Sequence, residues 1–183
     1  LAPSKQCSLL LAQAYQNLGQ FKEATVEYKK VDIDQAKNKM IPFNLGLCLL
    51  NTGNNIDAIK AFKLAVRLDE SFLPAWGNLG TALINQGRHQ EALPATQKVL
   101  ALDPDNPGAY MNLGWIYRGL GQLDQALASM LKSVELDPDN ADALSNLGGI
   151  YRDLGQLDQA LTSTLKSLEL KADNNLPALN NLT

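Results

Sequence analysis

The chain reads as an all-α solenoid, and three periodic columns of small residues predict it. Ala24, Ala58, Ala92, Ala126 and Ala160 stand 34 residues apart. Gly19, Gly53, Gly87, Gly121 and Gly155 keep the same spacing, as do Ala12, Gly46, Gly80, Gly114 and Gly148. Three columns in phase along most of a 183-residue chain require tandem repetition of one structural unit. Each unit then packs on its neighbours instead of around one shared core. The reading is a single array over 1–183, with units 5–38, 39–72, 73–106, 107–140 and 141–174 and a partial sixth at 176–183.

The period inside a unit is helical. In unit 107–140, Tyr110, Leu113, Gly114 and Tyr117 recur at i, i+3, i+4 and i+7, which is one face of a helix. Gly121 stands where a helix stops in a left-handed residue. A second helix starts near Leu123, with Ala126, Leu127, Met130 and Leu131 on its apolar side. Asp137-Pro138-Asp139-Asn140 closes the unit as a turn, since Pro cannot continue a helix. The small residues let the two helices of a hairpin approach, while Trp76, Tyr110 and their equivalents fill the space above.

Proline placement is a check on this reading. Pro42, Pro74, Pro107 and Pro177 fall in or just before first helical turns, and Pro104 and Pro138 fall in closing turns. Pro94 is the misfit. It stands inside a second helix, where a missing N–H costs about 3 kcal/mol, and it predicts a kink or a late helix start.

In unit 73–106, Trp76, Leu79, Gly80, Leu83, Ala92 and Pro104 fall where a tetratricopeptide pattern has Trp, Leu, Gly, Tyr, Ala and Pro. The chain therefore resembles a tetratricopeptide-repeat array over residues 5–183. The resemblance implies a right-handed superhelix of helical hairpins whose first helices line a concave groove. Departures are local: Ser8 replaces the large residue and the closing proline is missing in unit 5–38, and Ala172 stands at that proline's place in unit 141–174.

Composition narrows the function. A net charge of −3 and a pI of about 5.1 lack the basic footprint of a nucleic-acid binder. No apolar run has the length of a membrane span. The chain begins at Leu1 without Met or leader and reads as the cut edge of a longer polypeptide, with the cytoplasm as the default location. Cys7 and Cys48 fit neither a disulfide framework nor a zinc spacing, and read as reduced thiols filling small gaps. Neither cofactor nor metal is expected.

Nothing in the motifs points to catalysis. His89 is the one histidine, beside Arg88 at a turn-to-helix junction, with no nucleophile in its context. Phosphate-loop, CxxC and HExxH patterns are missing. The periodic aspartates of "DPDN" and "LDQA" read as turn and helix N-cap residues instead of metal ligands.

The candidate site is a surface. A column on the first helices reads Asn44, Asn78, Asn112, Asn146 and Asn181. An asparagine side chain both donates and accepts, so a ladder of them holds an extended peptide backbone without reading its sequence. The chain is similar in this column to the arrays of O-linked N-acetylglucosamine transferases, where an asparagine ladder serves that purpose. The alternative role is structural: each side chain bonds the backbone of the neighbouring unit and sets the pitch. One turn along stand Leu47, Thr81, Trp115 and Gly149; one turn before those stand Phe43, Gly77, Met111, Ser145 and Asn180. Trp115 beside Met111 is an anchor candidate, or packs on the adjacent helix. Arg118 and Arg152 either meet acidic ligand groups or pair with Asp124, Asp153 or Asp158. Leu9, Phe43, Gly77, Met111 and Ser145 stand where a chaperone-tail clamp needs lysine, which excludes that specificity.

The expectation is a non-enzymatic module binding an extended peptide or partner helix between about Phe43 and Asn181, with neither nucleic acid nor membrane as partner. The alternatives are the substrate-recognition arm of a larger enzyme, with catalysis outside this segment, and a structural scaffold or homo-oligomer. Self-association through the C-terminal end, where the array stops inside a sixth unit, is also expected.

Overall fold

A tandem hairpin needs three things from its sequence: a stop between the helices, a start for each helix, and space for the two to approach. The computed structural model describes residues 3–31 and 37–180, with side chains from Ser4 through Ala172. Among them are ten α-helices and no strand: α1 (Pro3–Asn17), α2 (Phe21–Lys30), α3 (Met40–Asn51), α4 (Asn55–Leu68), α5 (Leu73–Asn85), α6 (His89–Leu102), α7 (Pro107–Gly119), α8 (Leu123–Leu136), α9 (Ala141–Asp153) and α10 (Leu157–Asn180). They form two compact units, α1–α6 within residues 1–102 and α7–α10 within residues 103–183.

The stop is chemical. Gly121 has φ +75°, and Gly19, Gly53, Gly87 and Gly155 are likewise left-handed, a conformation that costs a side-chain-bearing residue roughly 1–2 kcal/mol. The Gly121 N–H donates to the Arg118 carbonyl at 3.0 Å and the Gln122 N–H to the Tyr117 carbonyl at 2.8 Å, capping the last carbonyls of α7. The pair recurs at every hairpin, so the second helices begin at Phe21, Asn55, His89, Leu123 and Leu157, each 34 residues after the last.

The starts correct one expectation. In "DPDN" the cap is the asparagine: Asn106 Oδ1 accepts from the Ala109 N–H at 2.9 Å, and Asn140 Oδ1 from Ala143 at 3.0 Å. Asp103 and Asp137 accept from those asparagine amides and hold them in place. In "LDQA" the aspartates Asp124 and Asp158 lie inside the first turn, where they meet the helix dipole without capping.

The space comes from the small-residue column. A Cβ on Gly46 would stand 2.5 Å from the ring of Phe62, on Gly114 2.7 Å from Met130 Cε, and on Gly148 2.6 Å from Thr164 Oγ1. Those second-helix residues stand at positions 34 apart: Tyr28, Phe62, Thr96 and Met130 are buried, and Thr164 in the last hairpin is exposed. In residues 103–183, Ala126, Met130, Ala143, Leu147 and Ile150 form the core, and Ser133 and Ser167 tie each second helix to the start of its first by bonds to the Pro107 and Ala141 carbonyls.

Pro94 lies inside α6, and of the two outcomes expected of it the late start does not occur: α6 starts at His89 and has the same 14 residues as α4 and α8. The closing turn expected in unit 141–174 does not form. Lys171 and Ala172 replace Asp-Pro at that place, the stop signal is lost, and α10 runs on to Asn180 through the position of Pro177. Of the partial sixth unit at 176–183, residues 176–180 belong to α10 and residues 181–183 lie outside the described residues.

Candidate functional site

Asn44 and Asn78 belong to residues 1–102, Asn112 and Asn146 to residues 103–183, and Asn181 lies outside the described residues. The four described asparagines are half-buried on first helices. Asn44 touches the hydroxyl of Tyr28, whose buried ring lies on α2 and whose O–H donates to Gln16 Oε1 at 2.9 Å. Burial pushes that phenol above its ordinary pKa. Asn78 Nδ2 donates to the Pro74 carbonyl at 2.8 Å, inside its own helix. Asn44 thus meets a side chain of the preceding repeat, not its backbone, while Asn78 satisfies its own first turn.

The flanking residues of α3 and α5 are not equally available. Phe43 packs edge-on against Phe72, with ring centroids 4.9 Å apart, and also meets Phe62 at 6.0 Å. Lys39 covers the same Phe72 ring at 4.5 Å and pairs with Asp69, whose carboxyl is lowered to about 2 by the Lys39 and Ser71 hydrogen bonds. Phe43 is therefore held in an aromatic cluster where the repeats join. Leu47 is half-buried, and Thr81 Oγ1 donates to the Gly77 carbonyl at 3.2 Å.

In α7–α10 the named residues do come together. Trp115 is half-buried, with the Arg118 guanidinium 5.4 Å from its ring centroid. Arg118 Nε donates to Asp153 Oδ2 at 2.6 Å, so its carboxylate partner is intramolecular. That bond holds the Asp153 carboxyl below its usual range. Gly149, at the Trp115 position of the next repeat, leaves the room this guanidinium fills. Arg152 is exposed and lies 3.8 Å from Asp153. Met111 packs on the Met130–Leu147 cluster.

The thiols divide. Cys48 is buried, and burial pushes it up to about 11, whereas Cys7 is exposed and fills no gap. His89 is the first residue of α6. Among the described residues no group of three or more His, Cys, Asp or Glu is placed to hold a metal, and no helix is long and apolar enough to cross a membrane.

Trp76, expected only to fill space, lines a cleft of about 740 Å³ between α4, α5 and α6. The available signal was Leu83, which stands where Tyr117 and Tyr151 stand in later repeats. Around Tyr151 a cleft of about 290 Å³ is lined by α9 and α10 alone, without a residue of α8.

Comparison with known proteins bears on the repeats and the fold. Three tetratricopeptide-repeat family models match, at residues 78–140, at 129–162, and at 6–32 with 43–72. A crystal structure of MamA superposes with a TM-score of 0.76 at 29% identity, covering 90% of this chain and 96% of that one. MamA from Desulfovibrio magneticus RS-1, residue 41 to its end, gives 0.81 at 24% identity, over 94% and 97%. TTC0263, a thermophilic TPR protein of Thermus thermophilus, gives 0.73 at 22% over 91% of each chain. Curated protein sequences yield no match.

Proposed function

We propose that this tetratricopeptide-repeat chain is a protein–protein recognition module that holds an extended peptide or partner helix on its first-helix faces. The observation that carries the reading is the asparagine column. Asn78, Asn112 and Asn146 recur half-buried at one position, while the next column changes from Thr81 to Trp115 to Gly149. A constant donor–acceptor column beside a variable one is what backbone holding with local selectivity requires. The role of arm to a larger enzyme rests on the resemblance at the asparagine column.

The test compares wild type with Asn78→Ala/Asn112→Ala/Asn146→Ala in a pull-down, after matching helicity by circular dichroism. Asn44 is left intact because of its Tyr28 contact. Proteins lost from the variant support the reading. Identical captures with helicity preserved make the asparagines structural and overturn it.

A second reading, self-association, has its own observation. α10 exposes Leu157, Leu161, Leu165 and Leu168 on one face, the positions that Leu123, Leu127, Leu131 and Val134 hold on α8. Leu127 and Val134 pack against the α9 core, so the α10 stripe matches a helix of α9 type on another copy. Sedimentation equilibrium of wild type beside Leu161→Glu/Leu165→Glu decides it: a concentration-dependent mass lost in the variant supports a dimer, and a monomer in both removes it.

A further inference from the structure

The cleft around Trp76 lies on a different surface from the asparagine column. Trp76 and Asn78 are both on α5 but point roughly 200° apart around its axis. The cleft opens between the second helices α4 and α6, with α5 as its floor. Trp76, Leu83 and Pro94 give it an apolar base, and the Trp76 indole is fixed by donating to the Glu70 carbonyl at 2.9 Å. Its volume, about 740 Å³, falls within the range of binding sites.

Its rim is cationic, against the sign of the chain. Lys63, Arg67 and Lys98 stand around the base, and none of the three is in an ion pair among the described residues. Glu70 and Glu91 also reach the rim. Glu91 is already engaged in two bonds from Arg88, at 2.7 and 2.6 Å, which with the nearby Lys63 hold its carboxyl below the usual range. Lys63, Arg67 and Lys98 thus outnumber Glu70 and Glu91 around the cleft, in a protein whose net charge is −3. Cations in excess around an apolar floor are complementary to an apolar side chain flanked by carboxylates.

The geometry points to a second recognition site here, for an acidic peptide segment that seats one aromatic or aliphatic side chain on Trp76 and sets its flanking Asp or Glu against Lys63, Arg67 and Lys98. The cleft runs open along two helices and so suits a chain passing over it. Leu83 lines this room, and the larger Tyr that stands at this position in later repeats would fill part of it. The site stands independently of the asparagine column.

The experiment selects a random twelve-residue phage-displayed library on the full chain, then measures the synthetic consensus by fluorescein anisotropy. The expected consensus carries an apolar residue next to Asp or Glu. Its affinity falls at least tenfold in Lys63→Glu/Arg67→Glu/Lys98→Glu and in Leu83→Tyr. It is unchanged in Asn78→Ala/Asn112→Ala/Asn146→Ala. Leu83→Tyr restores the residue type of later repeats, so it keeps the test decisive if the charge reversal unfolds. A neutral or basic consensus overturns the proposal, as does a failure to enrich. Loss in the asparagine variant with retention in the other two assigns the peptide to the first-helix face and overturns it as well. Decanoate displacing the peptide at micromolar concentration would assign the cleft to a small amphiphilic anion instead.

Discussion

Arg118 on α7 donates from Nε to the carboxylate of Asp153, the last residue of α9, at 2.6 Å. The same guanidinium lies over Trp115 and above Gly149, so one side chain joins the indole of one repeat to the helix end of the next. The pair is partly exposed, which limits its worth to about 0.5–1 kcal/mol. A double-mutant cycle of Arg118→Ala and Asp153→Asn by urea denaturation is expected to return a coupling in that range, shrinking in high salt. Zero coupling at low salt would leave the arginine available to a ligand.

Asp69 carries the clearest pH dependence. Its carboxyl is lowered from an ordinary 3.8 to about 2 by Lys39 and Ser71. A depressed folded-state pKa contributes stability that is complete above the unfolded value and is lost as pH falls through the folded one. Stability is therefore expected to drop between about pH 4 and pH 2, and Asp69→Asn should flatten that part of the Tm–pH curve. An unchanged curve would show that other carboxylates dominate the acid limb.

The small-residue column predicts a ranking. Gly46→Ala drives a methyl into the Phe62 ring, which is fully buried, and overpacking of this kind costs about 1–3 kcal/mol. Gly114→Ala meets the terminal methyl of Met130, which can rotate away, so its cost should be the smaller. Chemical denaturation orders the two, and Phe62→Leu is expected to rescue part of the Gly46→Ala loss. Equal costs would mean that the backbones, not the facing side chains, set the helix spacing.

Pro94 leaves α6 one hydrogen bond short, since no N–H at that residue reaches the Gln90 carbonyl. Because α6 keeps the length of its counterparts, Pro94→Ala is expected to raise stability by on the order of 1–3 kcal/mol and to raise Tm. A lower Tm would show that the pyrrolidine packing at the cleft outweighs the missing bond.

Spacing alone was enough to place the hairpins, because the residues that make them act locally. A left-handed turn needs a glycine within one residue of Gly121, and an apolar face repeats every helical turn whatever packs on it. The second-helix starts follow from the same glycine spacing, although Pro94 pointed to a kink or a late start in α6 and the start at His89 is not late. The sequence could also nominate the asparagine column, since position on a helix follows from numbering. It could not tell that Phe43 is held by Phe62 and Phe72, which of Asp124, Asp153 and Asp158 Arg118 pairs with, or that Leu83 and Trp76 line one cleft. Those depend on distances between side chains from different helices, which no periodicity encodes. Nor did spacing reveal that α10 continues past Ala172, because losing the Asp-Pro stop matters only once the helix before it is stable enough to run on. Local stereochemistry determined the repeat; tertiary contact decided which of its surface residues are already occupied.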